Sequence, residues 1–240
     1  MKLTYICHSG FAIEGDGFTV IIDYFKDSGD EYARGVVHDY LLKRPGRFYV
    51  LATHFHPDHF NPVVLKWKEQ RPDIIYLFSK DILKHRKAGK EDAVYLIKLS
   101  EYEDNLLKVK AFGSTDVGVS FLLELGGKTV FHAGDLNNWH WNEESTPEES
   151  RGYEKSYLHE LGILANDVPA VDLAMFPVDP RLGKDYMRGA EQFADRIKTG
   201  IFVPMHFDEA FDKANAFGAY AAQRGIRFWT PAAKGDSINF

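Results

Sequence analysis

The stretch His54-Phe55-His56-Pro57-Asp58-His59 decides how this chain reads. It holds three of the ten histidines and one aspartate within six residues. A metal ion needs lone-pair donors converging about 2.0–2.2 Å from one point, and imidazole and carboxylate are the usual donors. Gathered against a core without a metal, these polar groups carry a heavy desolvation cost. The hexapeptide follows an apolar run at 48–52 that reads as a strand. In extended chain, residues i and i+2 face the same way, so His54 and His56 reach one ion together. Pro57 biases His56 toward extended geometry, and the turn it starts aims Asp58 and His59 at a neighbouring point. The spacing suits two adjacent metal positions.

Two distant segments repeat the theme. An apolar run at 128–132 ends in His132-Ala133-Gly134-Asp135, where Gly134 permits close backbone approach. Asp135 has two oxygens with which to bridge a pair of ions. A second run at 201–204 leads into Met205-His206. Both place a donor just past a strand's carboxyl end, where open α/β sheets build their sites.

Around these segments, short strands alternate with helical stretches. Strands are predicted at 3–7, 11–14, 18–23, 48–52, 74–78, 94–99, 106–112, 119–125, 128–132, 171–176 and 201–204. Gly15-Asp16-Gly17 and Gly126-Gly127 mark tight hairpin turns. Helices are predicted at 62–70, 80–86, 188–198 and 214–223. Residues 136–168 are polar, acidic and aromatic, and read as a helix-and-loop insert over the site's edge. The pattern is that of one α/β domain, 1–240, with mixed sheets.

Composition narrows the function classes. The chain has 240 residues, 45% of them hydrophobic, enough for a large core. Its formal charge of -6 and lack of basic stripes speak against nucleic acid as partner. No apolar run approaches the roughly 18 residues that span a bilayer, and the amino terminus lacks a signal-peptide core. With Cys7 as its single cysteine, the chain has no internal disulfide, and a cytoplasmic protein is expected.

The residues carry a family likeness. His54-x-His56-x-Asp58-His59, then Gly134-Asp135, then Pro204-Met205-His206 resembles the metallo-β-lactamase superfamily, in particular its metal-dependent hydrolases, which include lactonases and phosphodiesterases. His8-Ser9-Gly10-Phe11, Ile21-Ile22-Asp23 and Phe131-His132-Ala133-Gly134-Asp135 support it, so the likeness runs from about residue 3 to 230. It implies an α/β fold of the αββα type, two mixed sheets flanked by helices. It also implies roles: His54 and His56 at metal site 1, Asp58, His59 and His206 at site 2, Asp135 between them, and Asp23 holding a ligand histidine. One departure stands out. The third site-1 histidine usual in the family is missing from Ala111-Phe112-Gly113-Ser114-Thr115-Asp116-Val117-Gly118. One or two ions are therefore expected, with site 2 the firmer, and Asp116 or His140 completing site 1. Zinc is the first choice of metal, with manganese and iron as alternatives.

Other polar residues read more plainly. His8 and His132 read as core histidines, and His38, His85 and His159 as surface residues. Trp139-His140-Trp141 reads equally as a substrate wall or as a pin holding the insert, with His140 a candidate substrate contact. Arg181 is a candidate for an anionic substrate group, or for a loop salt bridge. The implied reaction is hydrolysis of a small ester-like substrate (a lactone, carboxylic ester or phosphodiester), with Asp58 orienting the attacking water. The alternative is a metal-binding module with reduced catalysis, because site 1 lacks a histidine. A di-iron redox reading is set aside: the superfamily's redox members usually carry a carboxylate where this chain has His56, and often a fused flavin domain. The expected partner is a small molecule, and exposed aromatic surface leaves room for a homo-oligomer.

Overall fold

The computed structural model describes residues 1–29, 31 and 33–240. The chain forms two compact units. The first holds Met1–Ile97, Asp104–Leu106 and Pro231–Phe240, and the second Lys98–Glu103 and Leu107–Thr230.

The first unit carries a seven-stranded sheet. Its strands are β1 (Lys2–Cys7), β2 (Gly10–Gly15), β3 (Phe18–Ile22), β4 (Arg47–Ala52), β5 (Ile75–Ser79), β6 (Val94–Leu96) and, from the far end of the chain, β14 (Ser237–Asn239). Their order is β14-β1-β2-β3-β4-β5-β6. The pairs from β14 to β3 are antiparallel, and those from β3 to β6 are parallel. Helices α1 (Val36–Asp39) and α2 (Lys80–Lys84) and two 3-10 turns connect the strands. Strands β3 and β4 are buried along nearly their whole length, which is why they read as unbroken apolar runs. One core cluster joins Ile6, Val50, Tyr76 and Phe78 of the sheet to Val37, Leu41, Trp67 and Ile82 of the connections.

This packing anchors the histidine loop at both ends. Upstream, β4 is a central strand. Downstream, Phe60, Val64 and Trp67 are buried, each contributing about 1.5–3 kcal/mol of apolar burial. The helix expected over 62–70 is a 3-10 helix, Pro62–Glu69, started by the Asn61 side chain accepting the Val63 N–H. The strand expected over 94–99 stops at Leu96, because the chain there leaves the first sheet for the second.

The second unit repeats the plan. Its strands are β7 (Glu101–Glu103), β8 (Leu107–Phe112), β9 (Ser120–Leu125), β10 (Lys128–His132), β11 (Ala170–Pro177), β12 (Lys198–Met205) and β13 (Arg227–Phe228). They run β13-β12-β11-β10-β9-β8-β7 across the sheet, parallel from β10 to β13 and antiparallel from β7 to β10. Helices α3 (Pro147–Asp167), α4 (Arg188–Arg196) and α5 (Phe211–Gln223) accompany it. The 136–168 stretch is a loop followed by α3, whose start is fixed by a reciprocal cap between Thr146 and Glu149. Two mixed sheets flanked by helices are the fold class that the sequence implied. No helix among the described residues is long and apolar enough to cross a membrane.

His38, expected at the surface, is instead paired with buried Asp27 at 2.7 Å. Burial works to raise the Asp27 carboxyl, but hydrogen bonds from the His38 ring and from the Val37, His38 and Ser28 N–H groups outweigh it and lower its pKa. A depressed carboxyl stabilises the fold above its unfolded value near 3.8, and that stability drains as pH falls through the lower folded value. Asp27→Ala should thus cost about 2–3 kcal/mol at neutral pH. The gap from wild type should narrow only below about pH 3.8 in denaturant titrations, and a gap independent of pH down to 2 would refute the linkage.

Candidate metal centre

In the first unit, the donors sit where β1, β3 and β4 end. β4 stops at Ala52, and Thr53 turns the chain into the motif. The ligand nitrogens of His54 and His56 lie within 4.8 Å of each other, as the i, i+2 spacing requires. After Pro57 the chain bends back, with the His59 and Phe60 N–H groups both donating to the His56 carbonyl. This turn brings Asp58 and His59 together, 3.8 Å from Oδ2 to Nε2. His8 joins them, its Nε2 3.3 Å from Asp58 Oδ2 and its ring edge-on to His59. His8 was read as a core histidine; it is buried, but its ring lies against the motif. The adjacent Gly10 has no Cβ, which at that point would meet the Cys7 and Asp23 carbonyls at 2.9 and 3.0 Å.

Asp23 organises this half. One oxygen accepts the Thr53 N–H at 2.7 Å. The other accepts the Thr53 hydroxyl and His59 Nδ1, each at 2.7 Å. Since the Thr53 hydroxyl gives its proton to Asp23, its lone pairs take the proton of His54 Nδ1, 3.1 Å away. One buried carboxylate thereby sets the tautomer of two histidines, leaving Nε2 of each as the lone-pair nitrogen.

In the second unit, β10 runs to His132, and Gly134 at φ 53° turns the chain to Asp135. Thr115 reaches across from the loop after β8, exchanging hydrogen bonds with the Asn137 backbone at 2.6 and 2.9 Å. That clasp holds Asp116 with a carboxylate oxygen within 4.8 Å of one from Asp135. β12 ends at Met205, and His206 Nε2 lies 3.5 Å from Asp135 Oδ1. His206 Nδ1 donates to buried Asp179 at 2.9 Å, the counterpart of His59 on Asp23. Burial pushes the Asp179 carboxyl up, but hydrogen bonds from His206 and Arg181 outweigh it and hold it at about 2.

These donors fit a transition metal. Atoms bound at about 2.1 Å around one tetrahedral ion stand about 3.4 Å apart. The separations within each unit, 3.3 and 3.8 Å in the first and 3.5 Å in the second, bracket that value. The backbone adds its own sign. His8, Asp23 and His206 all have left-handed φ, at 57°, 51° and 62°. Such residues cost about 1–3 kcal/mol each and gather at functional sites.

The remaining candidates take other places. His140 is fully buried, its Nε2 donating to the Asp185 carbonyl and its Nδ1 accepting the Asn142 N–H, so both nitrogens serve the loop. Burial lowers its pKa against the opposing pull of the Asp185 carbonyl, keeping the ring neutral. Arg181 points its Nε and Nη2 at Asp179, the salt bridge weighed in the sequence, and stands half-exposed. His132 accepts the Gly134 N–H at 3.1 Å as a turn residue. Sequence reasoning missed Asp179 as the holder of His206; its place after β11, beside the strand that leads into His206, was the available signal.

The chain is similar to proteins already known. The family model described as a beta-lactamase superfamily domain matches residues 2–149. A UPF0173 metal-dependent hydrolase of Symbiobacterium thermophilum is 24% identical over 238 residues, covering 94% of this chain and 93% of that one. Among solved structures, Igni18, described as a novel metallo hydrolase from the archaeon Ignicoccus hospitalis, matches with a TM-score of 0.70 at 19% identity over 100% of this chain and 97% of its own. CmlA, a diiron β-hydroxylase from Streptomyces venezuelae, matches with a TM-score of 0.68 at 15% identity over 100% of this chain and 54% of its own. At these identities the structural matches establish the fold alone, whereas the family model spans well over half of the chain. The chain belongs to the metallo-β-lactamase superfamily.

Proposed function

We propose that the protein is a metal-dependent hydrolase. Its metal donors are His8, His54, His56, Asp58 and His59 of the first unit and Asp116, Asp135 and His206 of the second. The observation that carries this reading is Asp116 held beside Asp135: a carboxylate stands in for the histidine that the loop after β8 lacks. It argues against the alternative of a binding module with an eroded site. The first unit's donors, four imidazoles and one carboxylate, suit zinc. The second unit's donors, two carboxylates and one imidazole, suit manganese or iron better than an all-histidine set does.

When bound, such ions lower the pKa of a water from 15.7 to about 7 and polarise a carbonyl or phosphoryl oxygen. The chain's own residues do the rest. Asp23 and Asp179 keep His59 and His206 in the tautomer with a lone pair on Nε2. Asp58 is partly exposed, and its carboxylate would orient the attacking water and take its proton. The substrate class is a small lactone, carboxylic ester or phosphodiester, and the relatives named as metal-dependent hydrolases support the reaction type.

The test is metal content beside a substrate panel. Wild type reconstituted with zinc, manganese or iron should bind about two ions per chain and hydrolyse at least one of the three substrate classes. Asp116→Ala should bring the count to about one and lower kcat/KM by at least about 10-fold, while Asp116→His restores the count. No hydrolysis under any metal would leave the binding module standing. Two ions retained by Asp116→Ala would remove Asp116 from the ligand set.

A further inference from the structure

The Trp139-His140-Trp141 segment has a geometry that the hydrolase reading leaves unused. Trp139 is fixed by its Nε1–H, which donates to the Asp135 carbonyl at 2.8 Å. Its ring sits edge-on to the His206 imidazole, 5.5 Å between centroids at 65°. Trp141 lies nearly parallel to it, 6.2 Å between centroids at 15°. Both indoles are only partly buried, whereas His140 between them is fully buried. The pin that holds this loop is therefore His140, through Asp185 and Asn142, and Asn142 is tied in turn to Asp185 and Ser150. The two tryptophans are not needed for that task. The loop even accepts a left-handed backbone at Trp141, φ 43°, a strained conformation for an aromatic residue.

We propose that Trp139 and Trp141 form a rigid aromatic platform beside Asp135 and His206 that selects substrates carrying an aryl group next to the scissile bond. The proposal rests on the hydrolase reading and narrows its substrate class. Three features favour a flat aryl group. The indoles are parallel, so they present extended π surface rather than a closed cage. The Trp139 indole is held by its hydrogen bond to Asp135, and the Trp141 backbone by the Glu144 and Ser145 N–H groups donating to its carbonyl, so little ordering cost opposes binding. Trp139 also shares the Asp135 turn and touches His206, which ties the platform's position to two of the proposed metal donors. Aromatic pairs gain affinity beyond area burial, which gives an aryl group an advantage over a saturated ring of equal size.

Two readouts test it. The first is binding, followed by tryptophan fluorescence with phenylacetate and cyclohexylacetate, which match in charge and differ in aromaticity. Wild type should bind phenylacetate about five-fold more tightly. Trp141→Leu should erase the preference, and Trp141→Phe should keep most of it. Circular dichroism melts of both variants check folding, with Trp141→Phe carrying the test if Trp141→Leu does not fold. The second is turnover of the ethyl esters of the same two acids by metal-loaded protein, where Trp141→Leu should lower kcat/KM for the aryl ester about five-fold and leave the alkyl ester within two-fold. Equal affinities in wild type, or a preference surviving in Trp141→Leu, overturn the platform. If neither ester turns over with any metal while phenylacetate still binds selectively, ester hydrolysis fails and the platform stands.

Discussion

Asp58→Asn is expected to lower kcat by about three orders of magnitude while the protein stays folded. The size follows from two roles in one carboxylate. As proton acceptor for the attacking water, a positioned base contributes about 10²–10⁴-fold. As an anionic donor beside His8 and His59, it also holds the ion that the water needs. The amide keeps the shape and loses both the charge and the basic oxygen. Folding should survive because the side chain is 39% exposed and lies on a turn whose backbone is held by the His56 carbonyl. Titrating metal separates the roles: a rate recovered at saturating metal means that Asp58 is a ligand only, and a rate still down about 100-fold or more at full occupancy means that it moves the proton. An unchanged kcat without added metal would exclude both.

Much of this architecture was legible because the chemistry is local. The His54–His59 hexapeptide carries its own geometry, alternation for His54 and His56 and a proline turn for Asp58 and His59, and the central strands β3, β4 and β11 read as apolar runs because they are buried. What stayed hidden depends on contacts between segments far apart in sequence. His8 looked like a core histidine because nothing nearby in the chain shows that β1 ends beside the motif. Asp116 and His140 stood as two options, because the Thr115 clasp onto the Asn137 backbone that brings Asp116 near Asp135 joins segments 22 residues apart. Asp179 was seen only as Arg181's neighbour, because its bond to His206 spans 27 residues. The edge strands β7, β13 and β14 have two or three residues each, too short for any periodicity to register. His38 went to the surface because pairing with Asp27 reaches across a loop.

Asp23 is where stability and metal binding should come apart. Asp23→Ala removes a fully buried carboxylate that accepts from the Thr53 N–H, the Thr53 hydroxyl and His59 Nδ1. Leaving those donors without an acceptor costs about 1–3 kcal/mol each, so a total loss of about 3–5 kcal/mol is expected. At about 2–4 °C per kcal/mol for a chain of this size, Tm should fall by roughly 10–15 °C. Asp23→Gly relieves the left-handed φ of 51° and should recover part of that loss without recovering metal. Asp23→Asn is the sharper variant. Asparagine tolerates a left-handed backbone and can keep its carbonyl oxygen on Thr53. Its amide group then faces His59 Nδ1, donor against donor, and the imidazole relieves the clash by moving its proton to Nε2. That nitrogen loses its lone pair, and an ion bound at His59 loses a ligand. Asp23→Asn should therefore melt within about 5 °C of wild type yet bind metal about 10–100-fold more weakly. Equal metal affinity in Asp23→Asn and wild type would show that Asp23 serves the fold alone, and that the tautomer of His59 is fixed by something else.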